Sequence, residues 1–317
     1  MAIHEFRVQN AGSVRGLSPR TRTCPQPLTV RESAILMALD QYRRLDREHI
    51  AGLFGQSERK ARRTLEKLLW RGLIHRWPLA QPLGVWPTPC TYALTSSGAR
   101  HAAGIRDLDP RPITERARRA REQVFHLRHD LEANGFFVQV AAGARDLADQ
   151  GLYQWLGETS CRVAHEREGS PTSDGWGRYL LADREITFDL EWDRGTEHAR
   201  RIREKARGYV TYFRGRRDAA LHHVLFVAPT RMREGELHDL VEPVLPKYVS
   251  LCGMWTTAIE TASSLGWTGR VWIEIGGERR RHAFADLAGH PRSERLAADC
   301  IAKARWWERR PGGGESA

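Results

Sequence analysis

Cysteine is scarce in this 317-residue chain. Its five copies, Cys24, Cys90, Cys161, Cys252 and Cys300, never fall in a C-x-x-C pair. An odd number at scattered spacings argues against a disulfide framework or a structural zinc site, and it suits a reducing cytoplasm. Long apolar runs are missing as well. None approaches the roughly 20 residues that span a bilayer, so no membrane partner is expected. The opening "MAIHEFRVQNAGSVRG" lacks the apolar centre of a signal peptide. Negative charge is in deficit: 50 Lys and Arg stand against 39 Asp and Glu, a net charge of +11. Such a balance favours polyanionic partners, because a basic surface steers and holds phosphates. Arginine outnumbers lysine, which suits bidentate phosphate contacts. A GC-rich genome produces the same bias, so the placement of arginine carries more weight than its total. Hydrophobic residues make up 41% of the chain. That suffices for packed cores, and the length fits about two domains.

Four segments follow from the patterning. Residues 1–27 are polar and end in "CPQP"; they read as a flexible arm. Residues 28–110 carry three helical patterns. "TVRESAILMALDQYRRL" sets Ile35, Leu36, Leu39 and Tyr42 at helical spacing. "DREHIAGLFG" is a short helix with Asp46 placed to cap it. "QSERKARRTLEKLLWRGLI" is a third, with Ser57 as N-cap. Its buried stripe is Ala61, Leu65, Leu68 and Leu69, while Arg59, Lys60, Arg63 and Lys67 take the other side. "LIHRW" and "TYALTSSG" then read as two strands joined by a Pro-rich connection. Three helices and a two-stranded wing give the order of a winged helix-turn-helix, whose third helix enters the major groove of double-stranded DNA. The plainer alternative is the same fold used for protein contact. The basic outer face favours DNA, with Arg76 on the first wing strand beside it.

From 111 to 275 the chain alternates strand-like and helix-like segments, which argues an α/β domain with a mixed sheet. "TERARRAREQVFHLRHDLEANG" is helical, and "FFVQVAAG" after Gly135 continues the helix or begins a strand. "LYQWLGE", "DGWGRYLL", "EITFDLEWD", "HHVLFVAPT" and, last, "GRVWIEI" read as strands. "EGELHDLVEPVLPKYV" is helical until its prolines. Residues 276–317 form a C-terminal extension and tail.

The chemistry concentrates at 174–209. As a strand, "EITFDLEWD" sends Ile186, Phe188, Leu190 and Trp192 to one face. Glu185, Thr187, Asp189, Glu191 and Asp193 go to the other. A solvated face normally mixes signs, so this acidic row calls for something positive: a divalent cation or the next helix. If the preceding strand pairs about "ADR", Asp174 meets the end that carries Glu191 and Asp193. Three carboxylates there offer the hard oxygen ligands Mg2+ or Mn2+ prefers. Thr196 is placed to cap a helix running to Phe213, with Ala199, Ile202, Ala206, Val210 and Phe213 inward and Lys205 on the flank. Arg201 and its neighbours face out. The adjacent pair His222-His223 points to opposite faces and makes a poor metal site.

Asp174…Glu191-Trp-Asp193…Lys205 resembles the PD-(D/E)xK nuclease superfamily, in the variant whose lysine has moved to the following helix. More closely, "SDGWGRY…ITFDLEWDRGTEHARRIREKARGYVTYF" resembles the replication-relaxation family of bacterial plasmids and mobile elements, over roughly residues 30–275. That family joins a winged helix to a domain with an E-x-D-R-G-T motif and a K-x-x-x-Y helix. Here these are Glu191, Asp193, Arg194, Gly195, Thr196, Lys205 and Tyr209. The resemblance implies a restriction-endonuclease-like mixed sheet flanked by helices. It implies Asp174, Glu191 and Lys205 as catalytic residues, and Asp174, Glu191 and Asp193 as ligands of Mg2+ or Mn2+. DNA and plasmid replication or transfer proteins are the implied partners. Two positions differ from the superfamily pattern: Ser173 stands where proline is usual, and Asp193 where an active nuclease has lysine.

Three readings share the DNA-binding part. One is a DNA-binding factor of plasmid replication, transfer or relaxation, with a non-catalytic nuclease-like platform. The second is a metal-dependent endonuclease or nickase. The third is a transcriptional regulator. The first ranks ahead, because a fold does not carry its activity with it.

Overall fold

The computed structural model describes residues 27–78, 90–122, 127–145, 147, 150–162, 171–214, 222–245 and 253–291. The expected arm up to residue 26, the Pro-rich connection at 79–89 and the tail from 292 lie outside the described residues.

Capping sets the first helices. Helix α1 (Val30–Tyr42) begins where Thr29 accepts from the Glu32 backbone and the Glu32 side chain accepts from Thr29, a reciprocal capping box. After the short strand β1 (Leu45–Asp46), Asp46 Oδ1 accepts from the His49 amide at 2.7 Å and starts α2 (Arg47–Phe54). Ser57 caps α3 (Glu58–Trp70), where Ala61, Leu65 and Leu68 are buried. Strands β2 (Ile74–Pro78) and β3 (Cys90–Leu94) complete an antiparallel sheet in the order β1–β3–β2. The strand expected through "TSSG" stops earlier. Thr95 Oγ1 accepts from the Gly98 amide at 2.9 Å and opens α4 (Ser96–Arg106) instead. Gly98 is required there: a Cβ would lie 1.9 Å from the Leu73 carbonyl oxygen.

Helices α5 (Pro110–Glu122) and α6 (Leu127–Gly143) follow. The segment after Gly135 is helix, not strand. Ala133, Phe136, Phe137, Val140 and Ala144 recur at helical spacing and are all buried. Next come β4 (Gly151–Gly157), β5 (Gly175–Leu180), β6 (Arg184–Trp192), α7 (Ala199–Phe213), β7 (His222–Ala228) and α8 (Arg231–Val241). Beyond them lie β8 (Gly253–Ala258), α9 (Ile259–Leu265), β9 (Trp272–Glu274), β10 (Arg281–His282) and β11 (His290–Pro291). "GRVWIEI" is therefore not the last strand. The large sheet runs β10–β9–β8–β7–β6–β5–β4, with β11 pairing to β6. β6, β7 and β8 are parallel and the remaining pairs antiparallel, so the fold is mixed α+β.

The sheet divides two layers. On one face Ile186, Phe188, Leu190 and Trp192 join Phe136 and Phe137 of α6 in a core that continues into α1–α4. Tyr42 stacks on Trp155 with ring centroids 3.7 Å apart, and the Asn134 amide donates to the Tyr42 and Arg44 carbonyls. On the other face α7 and α8 pack over Val224, Phe226 and Ala228. Among the described residues no helix is long and apolar enough to cross a membrane.

Candidate functional site

The β5–β6 hairpin brings the predicted acids together. Gly175 pairs with Leu190, so Asp174 lies level with Glu191 on the same face. Asp174 Oδ2 accepts from the Trp192 amide at 2.7 Å, and Oδ1 lies 2.9 Å from His129 Nε2. The acidic row does not face water. Asp189 and Glu191 are each 2% exposed and Asp193 is 6% exposed. Helix α7 roofs them, because Ile202, Ala206, Tyr209, Val210 and Phe213 make its buried stripe. On the flank of that stripe Lys205 Nζ reaches Glu191 Oε2 at 2.8 Å and Glu197 Oε1 at 3.1 Å. The Tyr209 hydroxyl donates to Glu191 Oε1 at 2.6 Å. The next helix supplies the positive charge the strand requires. Thr196 does not cap it: the N-cap is His198, whose side chain makes no capping bond.

Burial pushes the Glu191 carboxyl up to about 7, against the pull of the Lys205 ammonium. Burial works against the charge on Lys205, but Glu191, Asp174 and Glu197 outweigh it and raise the ammonium above its ordinary range. Burial likewise opposes the His129 imidazolium. Its bond to Asp174 and the nearby acids prevail, so its pKa is raised. Asp174 is held below the usual carboxylate range: burial opposes its charge, and His129, Lys205 and the Trp192 amide more than offset it.

Asp193 turns elsewhere. Its Oδ2 lies 2.6 Å from Arg233 Nε of α8, and its Oδ1 accepts from the Gly195 amide at 2.8 Å. Arg233 also donates to the Glu197 carbonyl and to Glu236. Gly195 takes a left-handed φ of 74°, which glycine adopts without strain. Asp193, Gly195 and Arg233 thus fix the D-R-G-T turn. Arg194 is exposed and lies 3.4 Å from Glu132, and Arg201 lies 3.3 Å from Glu197.

All six carboxylate oxygens of Asp174, Glu191 and Asp193 already have a donor partner: His129, the Trp192 amide, Tyr209, Lys205, the Gly195 amide and Arg233. Among the described residues no group of three or more His, Cys, Asp or Glu side chains is placed to hold a metal ion.

Sequence reasoning missed His129, Glu197 and Arg233. The first and last come from other helices, 45 and 40 residues from their partners, and no spacing rule reaches them. Glu197 was visible only as one acid in an arginine-rich helix. The residues His222 and His223 do separate. His222 Nε2 lies 2.8 Å from Asp189 Oδ2, while His223 lies 2.7 Å from the Ala288 carbonyl. A shallow open cleft beside Asp174 is lined by Tyr42, Arg43, His129, Asp130 and Glu158. Trp155 is core. Arg59, Lys60, Arg63, Lys67 and Arg76 are all exposed. Within α3, Arg62 pairs with Glu66 at 3.6 Å, and Glu58 pairs with Arg47 at 2.8 Å.

No curated protein and no solved structure matches the chain. Residues 36–226, more than half of the chain and including the E-x-D-R-G-T turn, Lys205 and Tyr209, match the replication-relaxation family, and the chain belongs to it.

Proposed function

We propose that the chain is a DNA-binding factor acting in plasmid or mobile-element replication, transfer or relaxation, in the cytoplasm and beside the proteins that carry out those steps. Helices α1–α3 and the sheet β1–β3–β2 form a winged helix-turn-helix, and α3 enters the major groove. The observation that carries this is the outer face of α3. Arg59, Lys60, Arg63 and Lys67 are exposed, and no carboxylate among the described residues pairs with them. Four cations left open along one helix offer contacts to phosphates and base edges. The large-sheet domain has the restriction-endonuclease arrangement and serves as a platform. In a platform, acids and bases neutralise one another, as Glu191, Lys205, Tyr209, Asp193 and Arg233 do here. Duplex binding followed by fluorescence anisotropy tests the reading. Arg59→Ala with Arg63→Ala weakens binding at least tenfold; unchanged affinity removes α3 from the interface.

A second reading, an endonuclease or nickase using Mg2+ or Mn2+, draws on the convergence of Asp174, Glu191 and Lys205. A cation there must first displace the Lys205 ammonium from Glu191. Incubation with supercoiled plasmid and either metal decides between the two. The platform reading expects no nicking. Metal-dependent nicking that disappears in Glu191→Ala replaces it with the nuclease.

A further inference from the structure

Among the described residues, the outer faces of α3 and of α7 both carry exposed cations with no carboxylate partner. Most other arginine-rich stretches are closed by acids of the same chain. On α5, Arg118 and Arg119 share Glu115. In the "GGERRRH" turn, Arg279 pairs with Asp239, Arg280 with Glu278, and Arg281 with Glu234. Helix α7 is different. Its Arg200 and Arg201 are closed by Glu204 and Glu197. Arg203, Arg207 and Arg214 are exposed and meet no carboxylate among the described residues. At about 100° per residue Arg203 and Arg207 fall within about 40° of arc on α7, and Arg214 follows as its C-cap residue. They sit on the flank away from Lys205, so the buried site and this stripe do not compete.

Helix α7 packs on the sheet face that carries Asp189 and Glu191. Helix α3 packs on α2, and α2 on α6, which covers the opposite face. Helix α7 and the α6 layer that carries α2 and α3 thus pack on opposite faces of the sheet.

We propose that the Arg203–Arg207–Arg214 stripe is a second DNA surface, which holds the phosphate backbone of a duplex segment other than the one on α3, so that one chain bridges two segments. The occupant is a phosphate backbone because the stripe offers guanidinium forks and no apolar anchor, and a backbone is a row of anions that such forks match bidentately. Contacts of this kind are sequence-independent. The inference rests on the DNA-binding reading above.

The test is a bridging capture with the full chain. A biotinylated 40-base-pair duplex is fixed on beads, protein is added, and retention of a second, fluorescent duplex is measured. The wild type is expected to bind the beads and to retain the second duplex. The triple variant Arg203→Ala, Arg207→Ala and Arg214→Ala is expected to bind the beads within about twofold of wild type and to retain at least fivefold less second duplex. Its melting temperature should be unchanged, as the three side chains are exposed. Wild-type binding without retention of the second duplex overturns the bridge and leaves the α3 reading standing. Equal retention by the triple variant also overturns it, and assigns bridging to paired copies of α3. A wild type that binds no duplex sinks both.

Discussion

Lys205 faces three carboxylates and opposes the burial that raises the one beneath it. Glu191 is fully enclosed, and its pKa of about 7 lies above the ordinary 4.5. A raised acid contributes stability that is present below its unfolded value and lost as pH rises through its folded value. Removing the ammonium by Lys205→Met raises Glu191 further, so the variant suffers most where Glu191 ionises. Removal of one partner from a buried pair costs about 3–5 kcal/mol. Urea unfolding should show a loss of that order at pH 8 and a clearly smaller one at pH 5.5. An equal loss at both values would mean that Glu191 is not held by Lys205. His129 gives a second pH test with its own sign. Its pKa is raised by Asp174, so its contribution is present below about 6.5 and lost as pH rises through the folded value. The wild type should therefore outlast His129→Leu by more at pH 6 than at pH 9 in thermal melts. A gap that widens with pH would contradict the assigned pair.

At the scale of elements, α4 shows how a small residue decides a packing contact. A Cβ on residue 98 meets the Leu73 backbone oxygen, which no rotamer change relieves. Gly98→Ala should destabilise by about 1–3 kcal/mol, as overpacking does. Denaturant titration checks this, and a neutral result would place α4 farther from the Leu73 carbonyl. The same helix marks a limit of sequence reading. Ser and Thr serve turns and N-caps alike, so "TSSG" looked like the frayed end of a strand. Helix α1 was legible from its periodicity, α2 from its Asp46 cap, and α3 from both cap and periodicity. The β5–β6 hairpin was legible because period-2 alternation flanks a polar turn. β8 was not: buried on both faces, "GMWTTA" has no alternation to reveal it. Asp174, Glu191 and Lys205 were placed together from spacing. The destination of Asp193 depended on Arg233 in a later helix, which sequence distance conceals.

Across the whole molecule, one core runs from α1 to the strand face of Leu190 and Trp192 and includes the buried stripe of the basic α3. Charge is arranged on the same scale. Acids are drawn into buried pairs under α7, while free cations stay outside on α3 and α7. The central claim is that α3 holds DNA phosphates, and the most direct measurement is the salt dependence of duplex binding. Each lost phosphate contact should lower the slope of log K against log salt by about 0.9. For Arg59→Ala with Arg63→Ala the slope should fall by roughly 2 relative to wild type. An unchanged slope with unchanged affinity would contradict the account.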